Sequence, residues 1–383
     1  MTSDYNPELW TVSSNEALTL NIADSTGHTA FHPTFTYPIF GDSEQIFGYK
    51  GLSIHLAFDS STFLPFLKVK FDKKLNDDVE DVQAKLLEFL PESTILDDEE
   101  KWVATFKEEH KTLNYSKFEL INKYESKGQE YAIYKTKLNN DLAVELNRRL
   151  QILVLLFIEA GSYIDDTDDK WDLFLCVQSG TNNIVGFTTA YSYLKYNGAD
   201  EFDAVDQLKH RNKISQFVIL PTYQSQSHGS QLYNTVTGYW IADENVQEIT
   251  VEDPNEKFDD LRYRNDFKRL FEEGYIPSLP KNVMTVTNQW YKEQAAKYKI
   301  ELNQFKKLTE IGYLYNQNVK VARLLIKKRL YEKNRDGLVE LEPAVRNDKL
   351  QTAFESIQQE YLRIIDTLRL RDSSNRPVKK QKV

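Results

Sequence analysis

Three carboxylates and one polar turn are the residues of this 383-residue chain whose types and spacing could do chemistry. The turn is Gln224-Ser-Gln-Ser-His-Gly-Ser230. It follows an apolar run ending in Leu220-Pro221 and precedes Leu232, Val236 and Trp240, spaced four apart. That order predicts a strand, a small-residue turn and a helix starting near Ser227 or His228. The first amides of a helix lack partners within it and sit at the positive end of its dipole. With Gly229 allowing close approach, such a turn can hold a pyrophosphate without a lysine. It is not a Walker motif, having no Gly-Lys-Thr, and it lacks the three glycines of a dinucleotide fingerprint. A hydrophilic connecting loop is the competing reading.

The carboxylates are Glu252, Asp253 and Glu159. Ile249-Thr-Val-Glu-Asp-Pro254 reads as a strand that proline ends, leaving both acids at its terminus. If this strand runs parallel to the one ending at Leu220-Pro221, both ends share the sheet edge where ligands gather. An amine is protonated near pH 7 and must lose a proton before it attacks a carbonyl. Partial burial would raise the Glu252 pKa into the range of a useful base. Strand alternation would send Asp253 to the opposite face. Glu159 follows the apolar LVLLFI, where a carboxylate is costly unless partnered; a residue on the wet boundary is the alternative. Cys176, inside DLFLCVQ, reads as core. A hydrolase pairing His228 with Ser227 or Ser230 lacks the Gly-x-Ser-x-Gly elbow. No His or Cys spacing suggests a metal.

The elements that must carry these residues follow from periodicity. Residues 1–112 read as a strand-rich domain for substrate or partner binding, with strands in GLSIHLAFD and FLPFLKVKF and a helix near 79–90. PESTILDDEEKW reads as its boundary. Residues 113–277 read as helix, strand, strand, strand, helix, strand, helix, which predicts a mixed sheet with helices on its faces. One long helix is expected over DLAVELNRRLQILVLLFIEAGSYI, capped by Asn140, then a hairpin through SGTN. Residues 278–371 read as helical, and 372–383 as a basic flexible tail that could serve nuclear import. With one cysteine, no disulfide framework forms and a reducing compartment fits. No secretory leader or membrane-spanning run is read. The net charge of −10 argues against general nucleic-acid binding and favours a cationic partner. Asp165, Asp166, Asp168 and Asp169 read as a surface cluster.

Gln-x-x-Gly-x-Gly/Ala, after an apolar strand and opening a helix, is the pyrophosphate signature of the Gcn5-related N-acetyltransferase superfamily. Gln224-Ser-Gln-Ser227-His-Gly229 resembles it, with Ser227 at the first glycine. KISQFVILPTYQSQSHGSQLY, EITVEDPNEKFDDLRYRND, LLFIEAGSYIDDTDDKW and FTYPIFGDSEQIFGYKGLSIHLAFD resemble the type B histone acetyltransferases. The resemblance covers residues 1 to about 275 well and the helical remainder loosely. It implies an α/β fold: a central mixed-sheet N-acetyltransferase fold, an amino-terminal strand-rich α+β domain and a carboxy-terminal helical domain.

The resemblance further implies acetyl transfer from acetyl-coenzyme A to a lysine amine by direct attack. It implies that Phe217, Val218 and Ile219 bond the pantetheine arm through their backbone. Gln224, Ser225, Gln226, Ser227, His228, Gly229 and Ser230 would hold the diphosphate. Serine accepts helical angles, so the turn is expected to survive Ser227. Asn255 and Arg264 are implied cofactor contacts. Glu252 is implied as first choice of base, with Asp253 and Glu159 as auxiliaries. Asp42, Glu44, Tyr193 and Tyr196 are implied peptide contacts. The implied substrate is the tail of free, newly made histone H4, at its twelfth and fifth positions. The implied partner is a WD-repeat histone-binding protein related to the retinoblastoma-associated proteins, with histone H3 and a histone chaperone reached through the complex. No metal, direct DNA binding or membrane is implied; the setting is cytoplasm and nucleus, in chromatin assembly and DNA repair. An acetyltransferase for another protein or a small amine, and a catalytically impaired histone-binding scaffold, are the alternatives.

Overall fold

Leu18, Leu20 and Ile22 are buried while Thr19 and Asn21 are half-buried, the period of two that marks a strand packed on one face, Leu18–Asp24 (β1). The computed structural model describes residues 6–196, 198–204, 209–368 and 370, with backbone alone at 200, 201 and 204. The basic tail expected at 372–383 lies outside them. The chain forms two units: residues up to Tyr193 with Asn212–Tyr239, and Leu194–Arg211 with the chain from Trp240 onward.

In the first unit, β1 pairs with Gly27–Phe31 (β2) antiparallel and Ser53–Asp59 (β3) parallel; β3 continues to Pro65–Lys70 (β4), antiparallel. The helix expected near 79–90 is Val82–Leu87 (α1), started by Asp81, whose carboxylate accepts from Gln83 and Ala84 amides. PESTILDDEEKW, read as a boundary, supplies Ile95–Leu96 (β5), parallel to β4, and the start of Glu99–Thr112 (α2). Buried Trp102 ties α2 to the sheet by donating from Nε1 to the Leu64 carbonyl at 3.0 Å. Asp59 is buried at the end of β3. It accepts from the Ser61 and Thr62 amides at 3.1 and 2.7 Å and from the Thr62 hydroxyl at 3.0 Å, and pairs with His110 Nε2 at 2.8 Å.

A second sheet in the same unit runs Glu119–Ser126 (β6), Gln129–Lys137 (β7), then, after helices Asp141–Leu150 (α3) and Ile152–Phe157 (α4), Trp171–Gln178 (β8), Ile184–Leu194 (β9) and His210–Ile219 (β10). β6 to β9 pair antiparallel. Asn140 caps α3 as expected, accepting from the Ala143 amide at 3.0 Å. β8 is buried from Asp172 to Val177, so both faces are covered. Leu173, Leu175 and Val177 share a core with Leu146, Leu150 and Leu153 of the two helices. Phe174 turns the other way, 6.4 Å ring to ring from Tyr239 on His228–Ala242 (α5). Cys176 is fully buried on that face.

The second unit contains Val246–Val251 (β11) and the helices Glu256–Glu272 (α6), Asn288–Lys297 (α7), Leu302–Tyr315 (α8), Val319–Lys333 (α9) and Pro343–Thr367 (α10). Its core centres on α8, where Phe305, Leu308 and Ile311 are fully buried. Glu310, also buried, is matched by a two-pronged pair with Arg329, both contacts 2.8 Å, and by the Tyr361 hydroxyl at 3.1 Å. The fold class is as expected: α/β with a central sheet flanked by helices, a strand-rich amino-terminal part and a helical carboxy-terminal part. Among the described residues no helix is long and apolar enough to cross a membrane.

Candidate active site

β10 carries the site in the first unit. Ile214, Gln216 and Val218 are buried, while Phe217 and Ile219 between and beyond them are half-buried. Gln216 is the anchor. The Thr188 hydroxyl donates to its carbonyl at 2.6 Å, the Thr189 hydroxyl to its side-chain oxygen at 3.0 Å, and its own Nε2 to the Ser162 carbonyl at 2.7 Å. At Gly186 a β-carbon would lie 2.6 Å from the Ile219 methyl group and 3.0 Å from its Cα. Only glycine lets β9 come this close to the end of β10.

After Ile219 the chain turns through Pro221–Tyr223 and closes on itself. Gln224 Nε2 donates to the Ile219 carbonyl and Gln226 Nε2 to the Thr222 carbonyl, both at 2.9 Å. Ser225 and Ser227 have φ of 58° and 70°. The expectation that Ser227 takes helical angles is therefore corrected: it sits in the left-handed region, because it ends the turn rather than starting the helix. The helix begins at His228, its first bond running from the Gln231 amide to the Ser227 carbonyl at 3.0 Å. Left-handed residues on either side of Gln226 turn successive amides into one concavity, the arrangement called a nest. Among the described residues, the amides of Ser225 to Gly229 donate to no protein oxygen. These donors, next to a fifteen-residue helix's positive end, fit a diphosphate.

His228 was expected among the cofactor contacts. Its side chain is 1% exposed and turned inward, so only its amide belongs to the concavity. Nδ1 lies 2.7 Å from the Tyr124 hydroxyl, which lies 3.1 Å from the Cys176 sulfur. Burial, then the charge of Lys127, lowers its pKa, favouring the neutral ring. Burial pushes the Cys176 thiol up to about 12. Neither residue is set up as a nucleophile or its base.

Glu159 is exposed just past α4. Its loop is fixed on both sides: the Ala160 amide donates to the Tyr37 hydroxyl at 2.5 Å, and Gln216 holds Ser162. The structure thus brings the Glu159 loop to β10. Glu44 supports the arrangement from behind. Its carboxylate accepts from the Thr36 amide at 2.6 Å, the Tyr37 amide at 3.1 Å and Asn15 at 2.8 Å, contacts that lower its pKa, the Thr36 amide most. Asp42 is the acid of that loop left exposed, and Tyr193 is half-buried on β9.

In the second unit, β11 ends at Val251, as expected from Pro254. Glu252 and Asp253 are both exposed, and Asp253 has φ of 32°. Two expectations are corrected here. The partial burial of Glu252 is not seen, and strand alternation does not divide the two acids, because both lie in the bend after the strand. Asn255 caps α6, accepting from the Phe258 amide at 2.9 Å, and Arg264 is half-buried on that helix. Tyr196 is exposed, 5.9 Å ring to ring from Phe202. The residues that sequence reasoning missed are Gln216, Gly186 and Tyr37. A polar residue on the buried phase of an apolar strand was the available signal for Gln216. Among the described residues no group of three or more His, Cys, Asp or Glu is placed to hold a metal ion.

Residues 10–159 match the family model described as "Histone acetyl transferase HAT1 N-terminus", and residues 263–318 match "Fungal HAT1, C-terminal". The chain is 46% identical over 375 residues to the histone acetyltransferase type B catalytic subunit of Kluyveromyces lactis, covering 97% of this chain and 96% of that one. The chain belongs to this family. The type B catalytic subunit of Candida albicans is also 46% identical, over 97% of this chain and 93% of its own. That of Cryptococcus neoformans is 33% identical, over 94% and 98%. Among solved structures, an aminoglycoside acetyltransferase from a soil metagenomic sample aligns with a TM-score of 0.25 and 17% identity, over 40% of this chain and 91% of that one, too slight a likeness to add to the fold described above. As a type B histone acetyltransferase catalytic subunit, the protein is an acetyltransferase and acetyl-coenzyme A is its acetyl donor.

Proposed function

We propose that the protein acetylates lysine side chains on the amino-terminal tail of free histone H4, at the twelfth and fifth positions, by direct attack of the amine on the thioester. The concavity of Ser225 to Gly229, with its unmatched amides, is the observation that carries this reading: it suits the diphosphate of coenzyme A. Phe217, Val218 and Ile219 offer backbone to the pantetheine arm, and Asn255 and Arg264 are proposed as further contacts. The amine must be neutral to attack, so a carboxylate takes its proton. Glu252 is proposed as that base, with Asp253 and Glu159 as auxiliaries. The fully buried thiol of Cys176 supports a route without an acyl-enzyme. Asp42, Tyr193 and Tyr196 are proposed to meet the peptide, and the negative net charge favours a basic tail. Glu44 is proposed to act on the peptide through the Thr36–Tyr37 segment that it holds.

A WD-repeat histone-binding protein is proposed as partner, with histone H3 and a histone chaperone reached through it, and cytoplasm and nucleus as the setting. The deciding experiment incubates the protein with acetyl-coenzyme A and an H4 tail peptide and maps the modified lysines by mass spectrometry. Polyamines and an H3 tail peptide run alongside. Transfer concentrated on those two H4 lysines supports the proposal; equal rates on polyamines would overturn it in favour of a small-amine enzyme.

A further inference from the structure

We propose that His228 is a positioning residue for the coenzyme A diphosphate, a neutral strut that holds the amide concavity against the β6–β7 hairpin. This rests on the reading of Ser225 to Gly229 as the diphosphate site. Two hydrogen bonds tie the turn to that hairpin. The Ser126 hydroxyl donates to the Gln226 carbonyl at 3.1 Å, and the Tyr124 hydroxyl meets His228 Nδ1 at 2.7 Å. Gln226 is the second residue of the concavity and His228 its last residue but one. The two contacts therefore set the direction in which the amides point.

Tyr124 has one proton and two neighbours, Cys176 and His228. The proton chain runs from Cys176 through Tyr124 to Nδ1, or from Nδ1 through Tyr124 to the Cys176 sulfur, and in both senses the imidazole is neutral. Nε2 is buried with no hydrogen-bond partner. Around the ring stand Tyr131, with ring centres 4.5 Å apart and edge-on, and Tyr223 at 5.8 Å. This environment suits a neutral ring only. An imidazolium would need an acceptor at both nitrogens, and Nε2 has none. The groups facing His228 are Tyr124 on β6, Lys127 in the following turn, Tyr131 on β7, Tyr223 in the turn after β10 and, through Tyr124, Cys176 on β8. None is an anion.

The test uses the full chain with Tyr124→Phe, His228→Leu and His228→Asn. The asparagine amide places a hydrogen-bonding group, donor or acceptor, close to where Nδ1 stands. Coenzyme A affinity is measured by calorimetry, and KM for acetyl-coenzyme A and kcat are measured with an H4 tail peptide. Tyr124→Phe and His228→Leu are expected to weaken coenzyme A binding and raise KM about tenfold, the size of one lost buried hydrogen bond, with kcat much less affected. His228→Asn is expected to recover most of the loss. In the unaltered protein, coenzyme A affinity is expected to fall as pH drops through the lowered imidazole range, beneath the ordinary value of about 6.5, a dependence absent from His228→Asn. Folded Tyr124→Phe with unchanged affinity and an unchanged pH profile would overturn the proposal, even if His228→Leu does not fold. If the unaltered protein binds no coenzyme A, the reading of the turn fails as well; binding that all three variants retain overturns only the role of His228.

Discussion

Gly186 and Val218 approach so closely that a β-carbon on the glycine would lie 2.5 Å from the Val218 carbonyl oxygen. Real β-carbons do not come that near an oxygen. Gly186→Ala must push β10 away from β9, and β10 leads directly into the turn of Ser225 to Gly229. The expected result is a loss of about 1–3 kcal/mol in stability, typical of overpacking, with weaker coenzyme A binding. Urea denaturation and calorimetry check both; a variant with unaltered stability and affinity would show that β10 has room to move.

Ser227 at φ 70° makes the opposite prediction. A non-glycine residue in the left-handed region is disfavoured by about 1–2 kcal/mol, and glycine removes that strain while giving back part of it as unfolded-chain entropy. Ser227→Gly should be neutral or slightly stabilising, and neutral or slightly better for coenzyme A. Ser227→Val, β-branched at positive φ, should lower both. A large loss of affinity in Ser227→Gly would contradict the role given to this turn.

Glu252→Gln keeps shape while removing proton acceptance. Turnover on an H4 tail peptide should fall about 10²-fold or more, the ordinary contribution of a general base, with coenzyme A affinity little changed. Asp253→Asn and Glu159→Gln are expected to fall less. Single-turnover rates across these variants rank the three acids. Full turnover in Glu252→Gln would remove Glu252 as the main base.

Asp59 is 1% exposed and serves two amides, a hydroxyl and His110 at once. Asp59→Ala leaves those donors without an acceptor and should destabilise the first unit by about 3 kcal/mol. The midpoint of urea unfolding measures this. A shift below about 1 kcal/mol would mean that water replaces the carboxylate.

Acid should weaken the protein in two stages. His228 has its pKa lowered by burial and then by Lys127, so folding favours its neutral form. That contribution is complete above its ordinary value, about 6.5, and is lost as pH falls from there. Glu44 has its pKa lowered chiefly by the Thr36 amide, so its contribution is present above about 4.3 and is lost below it. His55, lowered by burial and by Lys70 and Lys68, acts in the upper window too. The comparison is therefore between variants: His228→Asn should shrink the upper stage, leaving the share of His55, and Glu44→Gln should shrink the lower. An upper stage of undiminished size in His228→Asn would count against the buried neutral ring.

Where hydrophobic spacing was strong, the sequence was easy to read. β11 ends just before Glu252-Asp-Pro254, and α3 begins directly after Asn140, both where the residues placed them. Where tertiary contacts decide, it was opaque. The apolar run after Asn140 reads as one helix reaching Ile164, yet α4 stops at Phe157. There the Thr34 and Phe35 amides both take the Leu156 carbonyl, and Tyr37 takes the Ala160 amide, demands from residues more than a hundred positions away. Likewise TNQWYKEQAAKYKIELNQFKKLTEIGYLY reads as one amphipathic stretch but forms α7 and α8. The break, with Lys299 at φ 54°, lets the Ile249 amide donate to the Lys299 carbonyl at 2.8 Å. Glycine and proline are absent from that break, so composition gave no warning. In the candidate site, the polar turn was legible because small residues before a helix have few uses. The burial of His228 was not, since nothing in QSQSHGS says which way its side chain turns.

The lone cysteine has a practical consequence. Held beneath Tyr124 in β8, with its proton tightly retained, it should stay silent toward maleimides and similar alkylating reagents for as long as the native sheet persists. Its rate of labelling is thus a clock for the opening of that sheet, and a ligand that tightens the Gln224–Ser230 turn should slow the clock.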